Sequence, residues 1–374
     1  MRGAGDPASL EGSRMTSLIL VWALVGYELQ ETAARIRVAE QLPAFGVAVV
    51  RGDQIDFAVD GVRRADRTRK VQKGDRWLIG SVTKSMTATM IARLVDRGML
   101  RWDETLAEAL PTTPMRPEYR SVTILQVLRH RGGIPPMRDM DGDTFDRIVG
   151  DAHEPSRIRE KLAREAFRMD PVKGFEYSNA GYTVLGLIAE QAAKKPYESL
   201  MRDEVFAPLG MKTAHIGRID AERDVVGHEE KDGKASPVTP YDARFCAAFA
   251  PGGIGVSMSI GDLARLVRYH LAGQRGSVTL MRRENFDMLH AHPEGDYSGG
   301  WVEQPARPSG GSPRAFPDGY SGHEGSDSTS ICEVAIFPSQ DLAVVAVTNA
   351  PRTEDPTPPL VAIREIYLRV TGGR

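Results

Sequence analysis

The sequence predicts an α/β fold of the α+β type: an antiparallel sheet built from both chain ends, flanked by helices, with a mainly helical segment inserted between them. Two observations carry this expectation. Apolar runs of strand length, bounded by turn residues, lie near the start and in the last third of the chain, and the middle carries apolar residues at helical spacing instead. Strands at both ends with helices between are most simply satisfied by one sheet whose helices bury its faces. The expected division is a sheet unit from residues 27–101 and 245–374, a helical insertion over 102–244, and a leading segment, 1–26, that is disordered or a signal or anchor sequence.

In chain order, Met1–Ser17 has the composition of a disordered segment. Leu18–Val25 (LILVWALV) is an apolar run behind Arg2 and Arg14. It is far shorter than the roughly 18 residues or more of a membrane span. It fits the apolar core of a signal peptide starting at Met15, which implies export to a periplasm or the medium, or a buried N-terminal helix in a cytoplasmic protein. No A-x-A cleavage site follows it. Tyr27–Gln41 reads as a charged, alanine-rich surface helix. AFGVAVVRGDQIDFAVDGVRR reads as two strands joined at Gly52-Asp53. A helix opens near Ser81. SVTILQVLRHRGG begins on a capping hydroxyl and ends in glycines, and SNAGYTVLGLIAEQAAKK has a helical apolar face. In PGGIGVSMSIGDLARLVRYHLAG a glycine loop precedes a helix that Ser259 or Asp262 can cap. SGGWVEQ, YSGHEG, TSICEVAIFPS and DLAVVAVTNA read as successive antiparallel strands, PLVAIREIYLRV as a closing helix, and Pro305–Gly319 as a surface loop.

Composition narrows the function classes. With 374 residues, 41% hydrophobic and 26% charged, the chain can bury a full core. A net charge of -2 without basic clusters leaves no footprint for nucleic acid or a polybasic membrane contact, and there is no clear membrane span. Cys246 and Cys332 are too few for a disulfide framework and lack metal-ligand spacing. They fit a single bridge or two reduced thiols. The nearest approach to a Gly-x-Ser-x-Gly elbow, Gly319–His323, fails at its last position, and His323-Glu324 does not continue into His-Glu-x-x-His. His290-Ala291-His292 reads as solvated histidines in a polar loop.

Three groups can carry chemistry. Ser81 and Lys84 stand at i and i+3, on one face of a helix start whose unpaired N–H groups can meet an oxyanion. A serine needs a base of lowered pKa to act as a nucleophile. Alone, the pattern fits a capping hydroxyl and a solvated lysine as well. Tyr177-Ser178-Asn179 precedes a helix. It offers a phenol and an amide, or a packing aromatic followed by a cap. In His323-Glu324-Gly325, strand alternation puts His323 and Gly325 on one face and Glu324 on the other. Gly325 allows close approach of a substrate backbone, with the N–H of Ser326 as an oxyanion donor. Alone, this is a loop histidine.

In this order, and with GSVTKSMTATMIARLVDRGMLRWDETL, GFEYSNAGYTVLGLIAE, PLGM and GGIGVSMSIGDLARL around them, the motifs resemble those of the serine β-lactamase and penicillin-binding superfamily. The branch is the class C-like one, with a Tyr-x-Asn motif, which holds D-Ala-D-Ala carboxypeptidases, D-aminopeptidases and esterases. The resemblance spans about Ala44 to Thr348 and implies a β-lactamase/transpeptidase-like fold. It implies that Ser81 becomes acylated, that Lys84 and Tyr177 share the base role, and that Asn179 holds the substrate or Lys84. The N–H groups of Ser81 and Ser326 are then the oxyanion hole, and His323 and Gly325 line the substrate. No metal or organic cofactor is implied, and the partner is a small-molecule or peptide substrate.

Two departures bear on substrate. His323 stands where β-lactamases carry lysine, and Glu324 where a small hydroxyl residue is usual. If Glu324 faces the site it repels a carboxylate. HRGG replaces a segment in which histidine, hydroxyl residues and glycine are usual. The expectation is a serine hydrolase acting on an ester or a D-residue amide, with weak or absent β-lactam turnover. A β-lactamase or carboxypeptidase proper, an acyltransferase, and a penicillin-binding sensor without turnover stay open.

Overall fold

The computed structural model describes residues 28–140, 142–150, 154–293, 295, 297–307, 312–352 and 354–372. The expectations for Met1–Ser17 and Leu18–Val25 lie outside these. Among the described residues no helix is long and apolar enough to cross a membrane.

One seven-stranded antiparallel sheet dominates. Strands β1 (Ala44–Arg51) and β2 (Gln54–Gly61) form the expected hairpin, turning on Gly52 at φ 53°. The C-terminal part supplies β3 (Tyr297–Ser298), β4 (Trp301–Gln304), β5 (Tyr320–Ser326), β6 (Ile331–Phe337) and β7 (Leu342–Thr348). The order is β2-β1-β7-β6-β5-β4-β3, so the two chain ends meet where Phe45 faces Thr348 and Arg51 faces Leu342.

The unbroken apolar runs of β1 and β7 are explained by burial on both faces. Ala44, Ala48, Val50, Val345 and Val347 belong to the larger core. It includes helices α2 (Thr83–Asp96), α3 (Asn179–Ala193) and α4 (Ile260–Gln274). Phe45, Val47, Val49, Val344 and Ala346 point the other way. There they meet α1, described over 28–39, and α5 (Pro358–Thr371). Each such aliphatic side chain contributes about 1.5–3 kcal/mol on full burial. Helix α1 is therefore more than a surface helix, since Leu29, Ala33 and Ile36 are buried against the sheet. At Gly46 any β-carbon would strike Ile260, so glycine lets α4 lie close on β1.

Ser259 caps α4 by accepting from the Asp262 N–H at 3.3 Å, while Asp262 instead holds Thr213. The stretch after Phe206 departs from the helical pattern expected up to Arg244. His215–Ile216 joins a small sheet with Trp77–Leu78 and Val256–Met258, and His228–Lys231 pairs with Lys234–Pro237. Asp232 and Gly233, both at positive φ (53° and 72°), make the tight turn of that hairpin. Cys246 and Cys332 are both buried free thiols.

Candidate active site

Ser81 lies in a short 3₁₀ turn, Gly80–Val82, that runs directly into α2. It is not a side-chain cap: neither the turn nor α2 has one. Thr83 ties the turn instead, its hydroxyl donating to the Gly80 carbonyl at 2.8 Å. Ser81 is thus half-buried with its hydroxyl available for other partners.

Lys84, one turn on, is fully buried. Its Nζ donates to Ser81 Oγ at 3.0 Å, to Asn179 Oδ1 at 2.6 Å and to the Gly252 carbonyl at 2.5 Å. Burial holds its pKa well below the usual lysine range. As an ammonium it fills all three contacts. As a neutral amine it keeps its two hydrogens on the Asn179 and Gly252 oxygens, which cannot donate, and turns its lone pair to the Ser81 hydroxyl. That is the arrangement a serine nucleophile requires.

Tyr177 brings its ring to 4.7 Å from Lys84 Nζ. Burial raises its pKa above the ordinary phenol value, and a hydrogen bond with Ser81 opposes that rise, so the resting group is a neutral phenol. Asn179 is placed by the cap before it. Ser178 Oγ accepts from the Gly181 N–H at 2.9 Å and donates to the Pro135 carbonyl, so α3 starts at Asn179 with its amide on Lys84.

The third group arrives on β5. The Gly80 and Gly325 backbones pack so closely that a β-carbon on Gly325 would collide with the Ile79 carbonyl, and one on Gly80 would lie 2.5 Å from the Ser326 nitrogen. This brings the backbones of Ser81 and Ser326 together across two glycines. His323, 7% exposed, bonds the Glu324 carbonyl through Nδ1 at 2.6 Å and Tyr297 Oη through Nε2 at 3.2 Å. Burial, with the charge of Lys84, lowers its pKa to about 3. Ser81, Lys84, Tyr177, Asn179, His323, Gly325 and Ser326 are therefore brought together in one place.

The model of the family described as Beta-lactamase matches residues 29–367, nearly the whole described chain. The chain belongs to the β-lactamase family. It is 28% identical to Penicillin-binding protein 4 of Amycolatopsis lactamdurans over 65% of this chain, and spans 63% of that relative, less than two-thirds of its length. It is 26% identical to the D-alanyl-D-alanine-carboxypeptidase/endopeptidase AmpH of Escherichia coli (strain K12), over 82% of this chain and 80% of that one. The octameric penicillin-binding protein homologue from Pyrococcus abyssi shares the fold, with a TM-score of 0.73 at 20% identity over 92% of this chain and 77% of its own.

Against this β-lactamase-family frame, one expectation holds and one is corrected. As strand alternation predicts, Glu324 lies on the face opposite His323 and Gly325. It is exposed on the opposite side of β5 and paired with Arg314 at 2.8 Å, which removes carboxylate repulsion as an argument about substrate. His290 is not a solvated loop residue. It stacks on Trp301, bonds His270 Nδ1 at 3.0 Å and meets Glu303 at 3.0 Å, while His292 is exposed.

Residues with no assigned role also enter the site. His130 of HRGG, at φ 57°, accepts the Ser178 N–H at 3.1 Å and packs 4.4 Å from the Tyr177 ring. It thereby holds the Tyr177 ring and the Ser178 backbone ahead of Asn179. Gly252, in the glycine loop, supplies the carbonyl on Lys84, and Tyr297 the hydroxyl on His323. The sequence signal for the first two was the motif itself. Tyr297 had none, being one aromatic ahead of a strand.

Proposed function

We propose that the chain hydrolyses an ester or amide carbonyl through an acyl-enzyme on Ser81. The observation that carries this is the environment of Lys84: a buried amine whose two acceptor-only partners leave its lone pair for the serine. In the first step Ser81 Oγ adds to the carbonyl carbon as its proton passes to Lys84. The oxyanion receives the N–H groups of Ser81 and Ser326. Collapse breaks the bond to the leaving alkoxide or amine, which takes a proton through Lys84 and Tyr177. These two titrate as one coupled pair. Water then adds to the ester with the same proton path, and the acid returns Ser81 to its resting form. Asn179 keeps Lys84 aimed throughout.

The test is intact-mass spectrometry with a p-nitrophenyl ester and with a fluorophosphonate. A fluorophosphonate adduct confined to Ser81, with a transient acyl adduct and continuous nitrophenol release, is expected. A permanent acyl adduct without turnover would instead support a penicillin-binding sensor. No adduct with any acyl donor would end both readings.

A further inference from the structure

Helix α2 holds the neighbouring glycine turn with two side chains. Lys84 Nζ donates to the Gly252 carbonyl at 2.5 Å, and the Thr87 hydroxyl donates to the Pro251 carbonyl at 3.1 Å. Residues at i and i+3 project from one face of a helix. Two successive carbonyls of the turn are thus received by two successive turns of α2.

The direction of these bonds follows from their neighbours. Tyr197 opens the short helix Tyr197–Met201, is fully buried, and brings its hydroxyl to 2.8 Å from Thr87 Oγ1. Among the described residues no other acceptor meets that hydroxyl, so its hydrogen goes to Thr87. Thr87 gives its own single hydrogen to Pro251, the Thr83 carbonyl at 3.3 Å being the longer alternative. Burial raises the Tyr197 pKa above the ordinary phenol value, so the donor is always in place. Its backbone is fixed as well: the Tyr197 N–H donates at 2.9 Å to Glu190, whose carboxylate pairs at 2.6 Å with the fully buried Arg159.

The turn itself, Ala250–Gly252, is wedged between α3 and the nucleophile turn. A β-carbon on Gly186 would lie 2.4 Å from the Pro251 ring, and one on Gly252 2.9 Å from the Asn179 carbonyl. One on Gly253 would lie 2.8 Å from the Gly80 carbonyl. A tilt of the Pro251-Gly252 peptide therefore moves atoms that touch Asn179 and Gly80, along with the carbonyl on Lys84.

Resting on the acyl-enzyme reading above, we propose that Thr87, oriented by Tyr197, is a positioning residue for the base: it fixes the Pro251-Gly252 peptide so that the Gly252 carbonyl stays on Lys84 and the amine stays directed at Ser81. A carbonyl acceptor stabilises an ammonium more than an amine. Releasing it has two effects of opposite appearance. Lys84 loses its direction, which lowers the rate at every pH. Its ammonium also loses a partner, which moves the acid limb of the pH–rate profile to lower pH. The other groups facing Lys84 are untouched by a change at Thr87. They are the Tyr177 and Tyr182 rings at 4.7 and 5.6 Å, Asn179, and the imidazoles of His130 and His323.

The experiment follows kcat, KM and the pH–rate profile for p-nitrophenyl acetate in the full chain and in Thr87→Val, Thr87→Ser and Tyr197→Phe. Thr87→Val keeps the side-chain shape and removes the hydroxyl. It is expected to lose about 10–100-fold in kcat, up to the scale of a misplacement of about 1 Å, with KM little changed and the acid limb at lower pH. Thr87→Ser, which keeps the hydroxyl, should return the limb to its wild-type place and recover most of kcat. Tyr197→Phe should act in the same sense as Thr87→Val and more weakly. A merely structural role reads differently: the fraction of Ser81 titrated by fluorophosphonate falls with kcat while the limb stays put. That result, wild-type kcat in Thr87→Val, or an equal loss in Thr87→Ser would overturn the proposal. Should Thr87→Val fail to fold, Thr87→Ala, smaller and lacking the same hydroxyl, is read against Thr87→Ser by the same criteria. Failure of the underlying reading is distinct: the wild type turns over no ester and Ser81 takes no label.

Discussion

On the proposed mechanism Lys84 carries the heaviest demand of any single side chain, because it must be a base where an ordinary lysine is an acid. Lys84→Ala or Tyr177→Phe should lower kcat/KM for p-nitrophenyl acetate by roughly 10²–10⁴-fold, the scale of lost acid–base catalysis, in a spectrophotometric assay. Near-normal turnover in Tyr177→Phe would remove the phenol from the proton path. The sign of the pH dependence follows from the direction of the shift. The base works unprotonated, so the rate climbs as pH rises through the lowered Lys84 pKa and levels off well before 10.5, the ordinary lysine value. Residual activity in Lys84→Ala should lack that acid limb. Ser81, Lys84, Tyr177 and Asn179 were legible through the order of their motifs and the family resemblance it carries, since the spacing alone fitted a cap, a solvated lysine and a packing aromatic as well. His290 was not, because its partners His270, Trp301 and Glu303 come from other elements and no local pattern in HAH announces burial.

Strand β5 serves two faces at once. Toward the cleft, Gly325 packs against backbone, which cannot move aside as a side-chain tip can. Gly325→Ala should therefore cost about 10²-fold in kcat/KM, the scale of a misplacement of about 1 Å, while circular dichroism shows a folded protein. Toward the other face, Glu333 opposes Glu324 across the strands, with Arg314 and Thr357 on its carboxyl. Burial lifts the Glu333 pKa to about 7, against the pull of Arg314. A carboxyl whose folded pKa exceeds its unfolded value of 4.5 binds more protons when folded, so it favours the fold less as pH rises through that window. The urea midpoint of the wild type relative to Glu333→Gln should accordingly fall between about pH 5 and 8. At this scale the strands and caps were readable from period and end residues. The Asp232-Gly233 hairpin had its turn signal in plain view, but charged residues around it carry no strand alternation.

The whole molecule wraps one sheet between two cores, and that burial reaches its thiols. Cys246 is 3% exposed, and burial pushes its pKa up to about 11. Cys332 is wholly buried and raised further still. Neither should react with a disulfide reagent such as DTNB in the native state, and both should react in denaturant, as absorbance at the released thiolate reports. Sheet composition from both chain ends was legible because no other partner suits two distant sets of apolar strands. The parts played by Tyr297 and Gly252 were not, since both act through contacts that only the closed sheet creates.

The pairing of β1 with β7 spans nearly the whole sequence, Phe45 with Thr348. A chain growing from a ribosome therefore holds β1 with one edge unpaired until β7 emerges, and at about 5–20 residues per second that wait lasts on the order of half a minute. During it a strand apolar on both faces is bare to other proteins. Ser81 and Lys84 are made early in that interval and Ser326 only near its end, so for most of it the nascent chain lacks the full set of candidate site residues. Synthesis order thus leaves the proposed site incomplete until the strands of the C-terminal part are in place.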